Sequence, residues 1–361
     1  MTYDAANKIK ILVVDDSAFM RKVITDMLNS VDNIQVIDTA RNGAEGIEKA
    51  KRLKPDVITL DVEMPIMDGL TALKELMELR PVPKVIMLSS LTYEGAEATM
   101  KALDLGALDF VTKPTSSIVN FNVEAIREEL VKKITDLAMS KQKSLAANKI
   151  FVESKSISKP KTLVEAGKNQ LKYIIAIGTS TGGPRALQEV VPYLPQDIPA
   201  AVVIVQHMPP GFTKSLAARL DNLSKINVKE AEDGDILKAG WAYLAPGDFH
   251  MLINSSPLEG YRISINQDPP VTGHRPSVNA MMESVADCGH SNLIAVMMTG
   301  MGSDGSEGIL KIKKKGGRTI AQNEETCVVY GMPKSAVNIG AIDKIVPLNE
   351  ISKEIIKFMG V

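Results

Sequence analysis

Short, almost wholly apolar runs alternate with helix-like segments along most of this chain, and many of the runs end on a small, acidic or basic residue. Continuous apolar runs suit parallel strands buried on both faces, and their carboxyl ends are where such sheets carry functional groups. In the first block the runs are Lys10–Val14, Gln35–Ala40, Val57–Asp61, Lys84–Ser89 and Asp109–Thr112. They predict five βα units around one parallel sheet. In the second block Tyr173–Gly178, Ala200–Gln206, Leu293–Thr299 and Arg318–Ala321 predict a doubly wound, mostly parallel α/β sheet. Trp241–Leu244, Phe249–Ile253 and Tyr261–Ile265, set among Gly and Pro turns, are expected to form a small antiparallel insertion.

Between the blocks, Ser140 to Gln170 holds 7 Lys against 2 Glu and little apolar sequence, so it cannot bury enough surface to fold by itself. The expected organisation is therefore a domain at 1–139, a flexible basic linker at 140–170 and a second domain at 171–361. Two domains also suit 361 residues, more than a single core usually supports. Outside the linker there is no basic excess, which argues against a nucleic-acid partner. No apolar stretch is long enough to span a bilayer, and the first residues are too polar for a signal peptide, so a cytoplasmic protein without membrane insertion is expected. Cys288 and Cys327 lack Cys-x-x-Cys spacing and are expected to be structural.

In the first block, Asp15 and Asp16 follow the run ILVV and Asp61 ends VITL, so three carboxylates meet at one sheet edge. They would repel one another unless a hard cation such as Mg2+ joined them. Ser89 and Lys113, at two further strand ends, are placed to bond and pair with a phosphoryl group. Singly, Asp15 to Ser17 are ordinary helix caps and Lys113-Pro114 an ordinary turn; five such residues at strand ends favour function. LVVDDS, TLDVEMPIMDGL, LSS and FVTKP resemble the receiver domain of two-component response regulators over about residues 8–125. That resemblance implies that Asp61 accepts a phosphoryl group from a histidine kinase. It also implies that Asp16, Asp61 and the backbone carbonyl of Glu63 hold Mg2+ with help from Asp15, and that Ser89 and Lys113 sense the phosphate. Phe110 stands at the aromatic switch position.

In the second block, the run YIIAIG leads into Gly178-Thr179-Ser180-Thr181-Gly182-Gly183-Pro184 and then a helical pattern. Gly178-x-Ser180-x-Gly182 fits a nucleophile elbow, a strained turn presenting a serine hydroxyl. A phosphate- or dinucleotide-binding loop is the competing interpretation. Ser180 stands where its middle glycine would be, and Gln206-His207 ends the next strand without an acid for a ribose. A serine nucleophile needs a base, and His207, one βα unit later at a strand end, is better placed than His250 or His290. His274, in VTGHRPSV, is the second candidate and is otherwise expected to line the cleft. Asp304, in GMGSDG, fits the carboxylate that orients the base, or a plain helix N-cap; local sequence does not choose.

GTSTGGP, VIVQHMPPGFT, YLAPGDFHM and MMTGMGSDG together resemble the catalytic domain of chemotaxis protein-glutamate methylesterases, over nearly all of 171–361. The resemblance implies Ser180 as nucleophile, His207 as base and Asp304 as its orienting acid; the amides of Thr181, which follows the nucleophile, and of Met301, in the Gly-rich loop, are the candidate oxyanion donors. It implies hydrolysis of glutamate methyl esters, and deamidation of glutamines, on methyl-accepting chemotaxis receptors. A chemotaxis histidine kinase would be the phosphodonor, and the ester chemistry itself is expected to need no cofactor.

Overall fold

In a computed structural model, which describes residues 8–113, 123–140, 170–256, 258 and 260–360, the chain divides into two units, Met1–Ile150 and Phe151–Val361. The expected linker at 140–170 lies outside the described residues except at its two ends, as does Pro114.

The first unit carries β1 (Ile9–Val14), β2 (Ile34–Ala40), β3 (Val57–Asp61), β4 (Lys84–Ser89) and β5 (Asp109–Thr112), in the order β2-β1-β3-β4-β5 with every pair parallel. Each strand turns into a helix: α1 (Ala18–Asn29), α2 (Gly43–Leu53), α3 (Gly69–Glu78), α4 (Tyr93–Leu105) and α5 (Val123–Met139). Local chemistry starts four of them. Ser17, Asn42, Asp68 and Thr92 each accept a hydrogen bond from an amide in the first turn of the helix that follows. Such caps contribute about 1 kcal/mol apiece. Because β1 lies between β2 and β3, the strand order reverses beside it, and the carboxyl ends of β1 and β3 open into one crevice.

The second unit is a seven-stranded sheet formed by β6 (Tyr173–Thr179), β7 (Ala200–Gln206), β8 (Asn227–Glu230), β9 (Trp241–Leu244), β12 (Leu293–Met297), β13 (Arg318–Gln322) and β14 (Lys344–Val346). Its order is β14-β13-β12-β6-β7-β9-β8, and every recorded pair is parallel. β6 comes first in sequence but sits between β12 and β7, so the reversal falls on the strand that precedes Ser180. β10 (His250–Ser256) and β11 (Gly260–Asn266) form a separate antiparallel ribbon, as expected. Helices α6 (Gly183–Gln188), α7 (Phe212–Leu223), α8 (Val278–Asp287), α9 (Ser306–Lys314), α10 (Met332–Asn338) and α11 (Ile351–Met359) complete the unit.

One element differs from expectation. Trp241–Leu244 is not part of the antiparallel insertion; it pairs in parallel with β7 and β8. The turn chemistry around it is that of a hairpin, but burial of Ala242, Tyr243 and Leu244 against the main core decides its place. β8, with the sequence NVKE, and β14, with KIV, escape detection because edge strands need apolar side chains at few positions.

The core of the first sheet is tightly filled, with Leu12 and Leu60 fully buried. Leu12→Ala is expected to lower the stability of the receiver-like unit by about 2–5 kcal/mol, while the melting of the second unit stays in place. Calorimetry of the full chain, with the two transitions followed separately, checks this.

Candidate active site

The first crevice is a cavity of about 700 Å3 lined by Asp16, Asp61, Glu63, Ser90 and Lys113, among others. Lys113 Nζ bridges Asp15 at 2.8 Å and Asp61 at 2.6 Å, so the fifth strand delivers its cation between the acids of the first and third. Asp15 and Asp61 are buried, and carboxylate oxygens of Asp15, Asp16 and Asp61 lie within 4.8 Å of one another. Burial pushes the Asp61 carboxyl up to about 6, with the Asp15 charge adding to the shift and Lys113 opposing it. One ammonium therefore does not balance the cluster. A hard divalent cation fits such an oxygen set, and it would have Asp16, Asp61 and the Glu63 segment at hand.

Ser89 ends β4 as expected, but its hydroxyl faces away from this cavity. It is fully buried, donates to the Gly95 carbonyl at 3.1 Å and accepts from the Thr99 hydroxyl at 2.8 Å. Ser90, one residue on, lines the cavity instead. Successive residues of a strand point to opposite faces, and the sequence LSS does not say which serine faces in. Phe110 is buried in the core with Lys133 Nζ 5.4 Å from its ring centre.

In the second unit, register brings Thr179 opposite Gln206 and Met297 opposite Gly178, so the three central strands end together. Ser180 follows β6 and His207 follows β7, with the His207 amide donating to the Thr179 carbonyl at 3.2 Å. From the other side, the Ser180 amide donates to the Thr299 carbonyl at 3.0 Å. Gly300 is obligatory there, because a Cβ would lie 2.8 Å from that of Ser180.

The turn after Ser180 differs from the strained elbow. Among the described residues Ser180 is not in the left-handed region; Gly182 is, at φ +76°, and the Gly183 amide closes the turn on the Ser180 carbonyl at 2.7 Å. The hydroxyl is thus placed by neighbouring strands and not by strain at its own backbone. The same bonds count against a phosphate cradle, since the Ser180 and Gly183 amides are already taken inside the fold.

His207 Nε2 lies 2.8 Å from Asp304 Oδ2, while its Nδ1 is buried and has no hydrogen-bond partner among the described residues. Asp304 is not the cap of its own helix: Gly305 starts α9 without a side-chain bond. Its carboxylate instead reaches the N-terminus of α8, where Oδ2 accepts from the Val278 amide at 2.6 Å and Oδ1 from the Asn279 amide at 3.1 Å. The hydroxyls of Thr272 and Ser277 donate to Oδ1 at 2.7 and 2.8 Å. Burial alone would raise this carboxyl, but the bonds from His207, Thr272 and Val278 outweigh it and hold Asp304 well below the usual carboxylate range. The His274 ring lies flat on that of His207, with centroids 3.9 Å apart. His250 is buried and accepts from the Ser277 amide at 3.3 Å, and His290 accepts from the Asn292 amide at 3.1 Å, which leaves both in structural roles.

Thr181 and Met301 are both buried in the loops that flank Ser180. One site residue was missed. Gln206 Nε2 donates to the carbonyls of Ser180 at 3.0 Å and His207 at 2.9 Å, and its Oε1 accepts from the Thr179 hydroxyl. It pins the loop of the serine to the loop of the histidine. The signal was present, since a carboxamide closing the apolar run AAVVIV must be buried with all its partners supplied.

Two family models match the chain: the response regulator receiver domain over residues 11–119 and the CheB methylesterase over 175–355. A protein-glutamate methylesterase/protein-glutamine glutaminase of Pyrococcus horikoshii is 47% identical over 354 residues, 97% of this chain and 93% of that protein. One from Symbiobacterium thermophilum is 48% identical over 362 residues, 98% and 97% of the two. The crystal structure of the Thermotoga maritima CheB methylesterase catalytic domain, at 45% identity and a TM-score of 0.50, covers 53% of this chain and 98% of that one.

Removing the Asp304 carboxylate strands four donors besides His207. Asp304→Ala is therefore expected to destabilise the second unit by about 3–5 kcal/mol, whereas Ser180→Ala, which removes one hydroxyl, leaves its thermal transition nearly unmoved. Because the carboxyl is depressed in the folded state, its contribution is complete above the ordinary carboxylate value and is lost as the pH falls through and below it. The difference in stability between wild type and Asp304→Ala should shrink accordingly in urea titrations run from pH 7 down to pH 3.

Proposed function

Because this chain belongs to the protein-glutamate methylesterase/protein-glutamine glutaminase family, with a response regulator receiver domain ahead of the esterase, we propose that Ser180, His207 and Asp304 are its catalytic triad and Asp61 its phosphorylation site. The chain is a hydrolase acting on glutamate methyl esters and glutamine amides of chemoreceptors, and its receiver places that activity under phosphorylation control. The observation that carries the triad is the division of labour on His207. One ring nitrogen is held by Asp304, and the other is buried and unpartnered beside the strand end that carries Ser180.

In the first step His207 Nδ1 takes the proton of the Ser180 hydroxyl as Oγ attacks the side-chain carbonyl. Asp304 fixes the tautomer with the proton on Nε2 and stabilises the imidazolium, and its depressed pKa keeps the proton on the ring. The oxyanion is met by the backbone amides of Thr181 and Met301, groups that typically contribute about 10²–10³ in rate each. The imidazolium then protonates the leaving group, methanol from an ester or ammonia from an amide. Water, deprotonated by the same nitrogen, hydrolyses the acyl-enzyme to glutamate and restores Ser180. The order Ser, His, Asp along the chain and the placement of the serine at a sheet reversal set this site apart from α/β-hydrolases.

In the receiver, Asp61 accepts the phosphoryl group from a histidine kinase of the chemotaxis system. Mg2+, held by Asp16, Asp61 and the Glu63 carbonyl with Asp15 in support, would neutralise the charge gathering on the phosphoryl oxygens. Lys113, already against Asp61, pairs with the phosphorylated side chain. Ser89 can bond it only by giving up Gly95, so sensing by Ser89 requires the β4–α4 loop to rearrange. The esterase chemistry uses no cofactor in this scheme, and no nucleic-acid partner enters it. Among the described residues no helix is long and apolar enough to cross a membrane. The proposed setting is the cytoplasm, where the kinase and the receptors would be met.

The test is methanol release from methylated receptor membranes, with and without a small phosphodonor. Wild type should be stimulated by the phosphodonor. Asp61→Asn should keep its basal rate and lose the stimulation, and Ser180→Ala should fall by about 10⁴-fold or more. Release by Ser180→Ala at the wild-type rate would remove Ser180 as nucleophile, and stimulation of Asp61→Asn would move the phosphorylation site elsewhere.

A further inference from the structure

The segment between β11 and α8 touches both partners of the Asp304–His207 pair. Thr272 and Ser277 donate to Asp304, and His274 between them stacks on His207 with an interplanar angle of 11°. The segment is itself firmly held. Val271 and His274 exchange backbone hydrogen bonds of 3.1 and 3.0 Å around a turn in which Thr272 adopts φ +51°. A threonine in the left-handed region costs about 1–3 kcal/mol, a local strain that other contacts must offset. Arg275 supplies such contacts: its Nε and Nη2 meet Asp248 Oδ1 at 3.1 and 2.7 Å, and its Nη1 donates to the carbonyls of Gln267 and Asp268.

We propose that His274 is a positioning residue for the hydrolysis, its imidazole serving as a flat wall that holds the His207 ring in the plane where Nε2 meets Asp304 and Nδ1 stays available to Ser180. A single hydrogen bond at Nε2 leaves an imidazole free to swing about that bond. A parallel ring at 3.9 Å removes that freedom and leaves both nitrogens of His207 to their own tasks. Nitrogens of His207 and His274 and an oxygen of Asp304 lie within 4.8 Å of one another, but the in-plane lone pairs of parallel rings run side by side and do not converge on one ion. The contact is therefore one of faces.

This inference rests on His207 being the base for Ser180, and the experiment separates the two. Steady-state methanol release from methylated receptors would be measured for His274→Ala, His274→Asn and His274→Phe in the full chain, with thermal melts of each and with Ser180→Ala and His207→Ala alongside. The ring-free variants should lose about ten- to a hundredfold in kcat with KM changed little, and Phe, which keeps a flat ring but no nitrogen, should recover most of the loss. Ring-free variants with wild-type kcat would overturn the proposal, and so would a Phe variant no better than Ala. Failure of both ring-free variants to fold would assign the ring to stability and also overturn it. Substantial release by Ser180→Ala or His207→Ala would instead sink the underlying triad, whatever His274 does.

Discussion

The catalytic unit is organised around one buried anion. An ionised carboxylate removed from water is costly unless its oxygens are fully met, and those of Asp304 are met by His207, Thr272, Ser277 and two α8 amides. These donors come from the loop after β7 and from the continuous stretch 272–279 that runs into α8, so satisfying an anion that itself follows β12 draws three distant stretches of chain to one point. The orientation of His207 follows from that convergence. The buried carboxamide of Gln206 ties in the fourth stretch by holding the Ser180 and His207 carbonyls together.

The receiver uses the same kind of group with the opposite balance. Asp304 is over-supplied with donors and its carboxyl is held low; Asp61 shares one lysine with Asp15 and its carboxyl is pushed up to about 6. An over-satisfied carboxylate is fixed and unreactive, as the orienting role proposed for Asp304 requires. An under-neutralised one would attract a cation and a phosphoryl group, as the acceptor role proposed for Asp61 requires. Burial accompanies both, and the number of donors sets the difference.

Both sites occupy the place where the strand order of a parallel sheet reverses; the order itself came from the fold, but the placement of the side chains at strand ends was legible before any coordinates. Asp15, Asp16, Asp61, Lys113, Ser180 and His207 all fall at ends of apolar runs that become strands with nearly the expected bounds. What escaped notice is equally specific. WAYL is as apolar as its neighbours, and nothing in it says whether it pairs parallel with β7 or antiparallel with the ribbon. In LSS the facing serine is a matter of pleat phase, which the packing of α4 decides. Thr272 and Ser277 sit in a polar loop whose composition suits any turn, and only the fold places them on Asp304; His274, expected at the cleft, is laid on the His207 ring by the same fold.

The sequence by itself determined the two α/β sheets, the polar break between them and the residue types at the strand ends, because periodicity and burial act along the chain and leave a local record. Tertiary structure decided that Asp304 accepts from the first amides of α8 and does not cap its own helix, that Nε2 of His207 is the nitrogen given to Asp304, and that Ser90 lines the acidic cavity while Ser89 does not. Those outcomes depend on which groups share a buried space across long stretches of sequence. Hydrogen-bond satisfaction is settled among groups that meet only when the chain is folded.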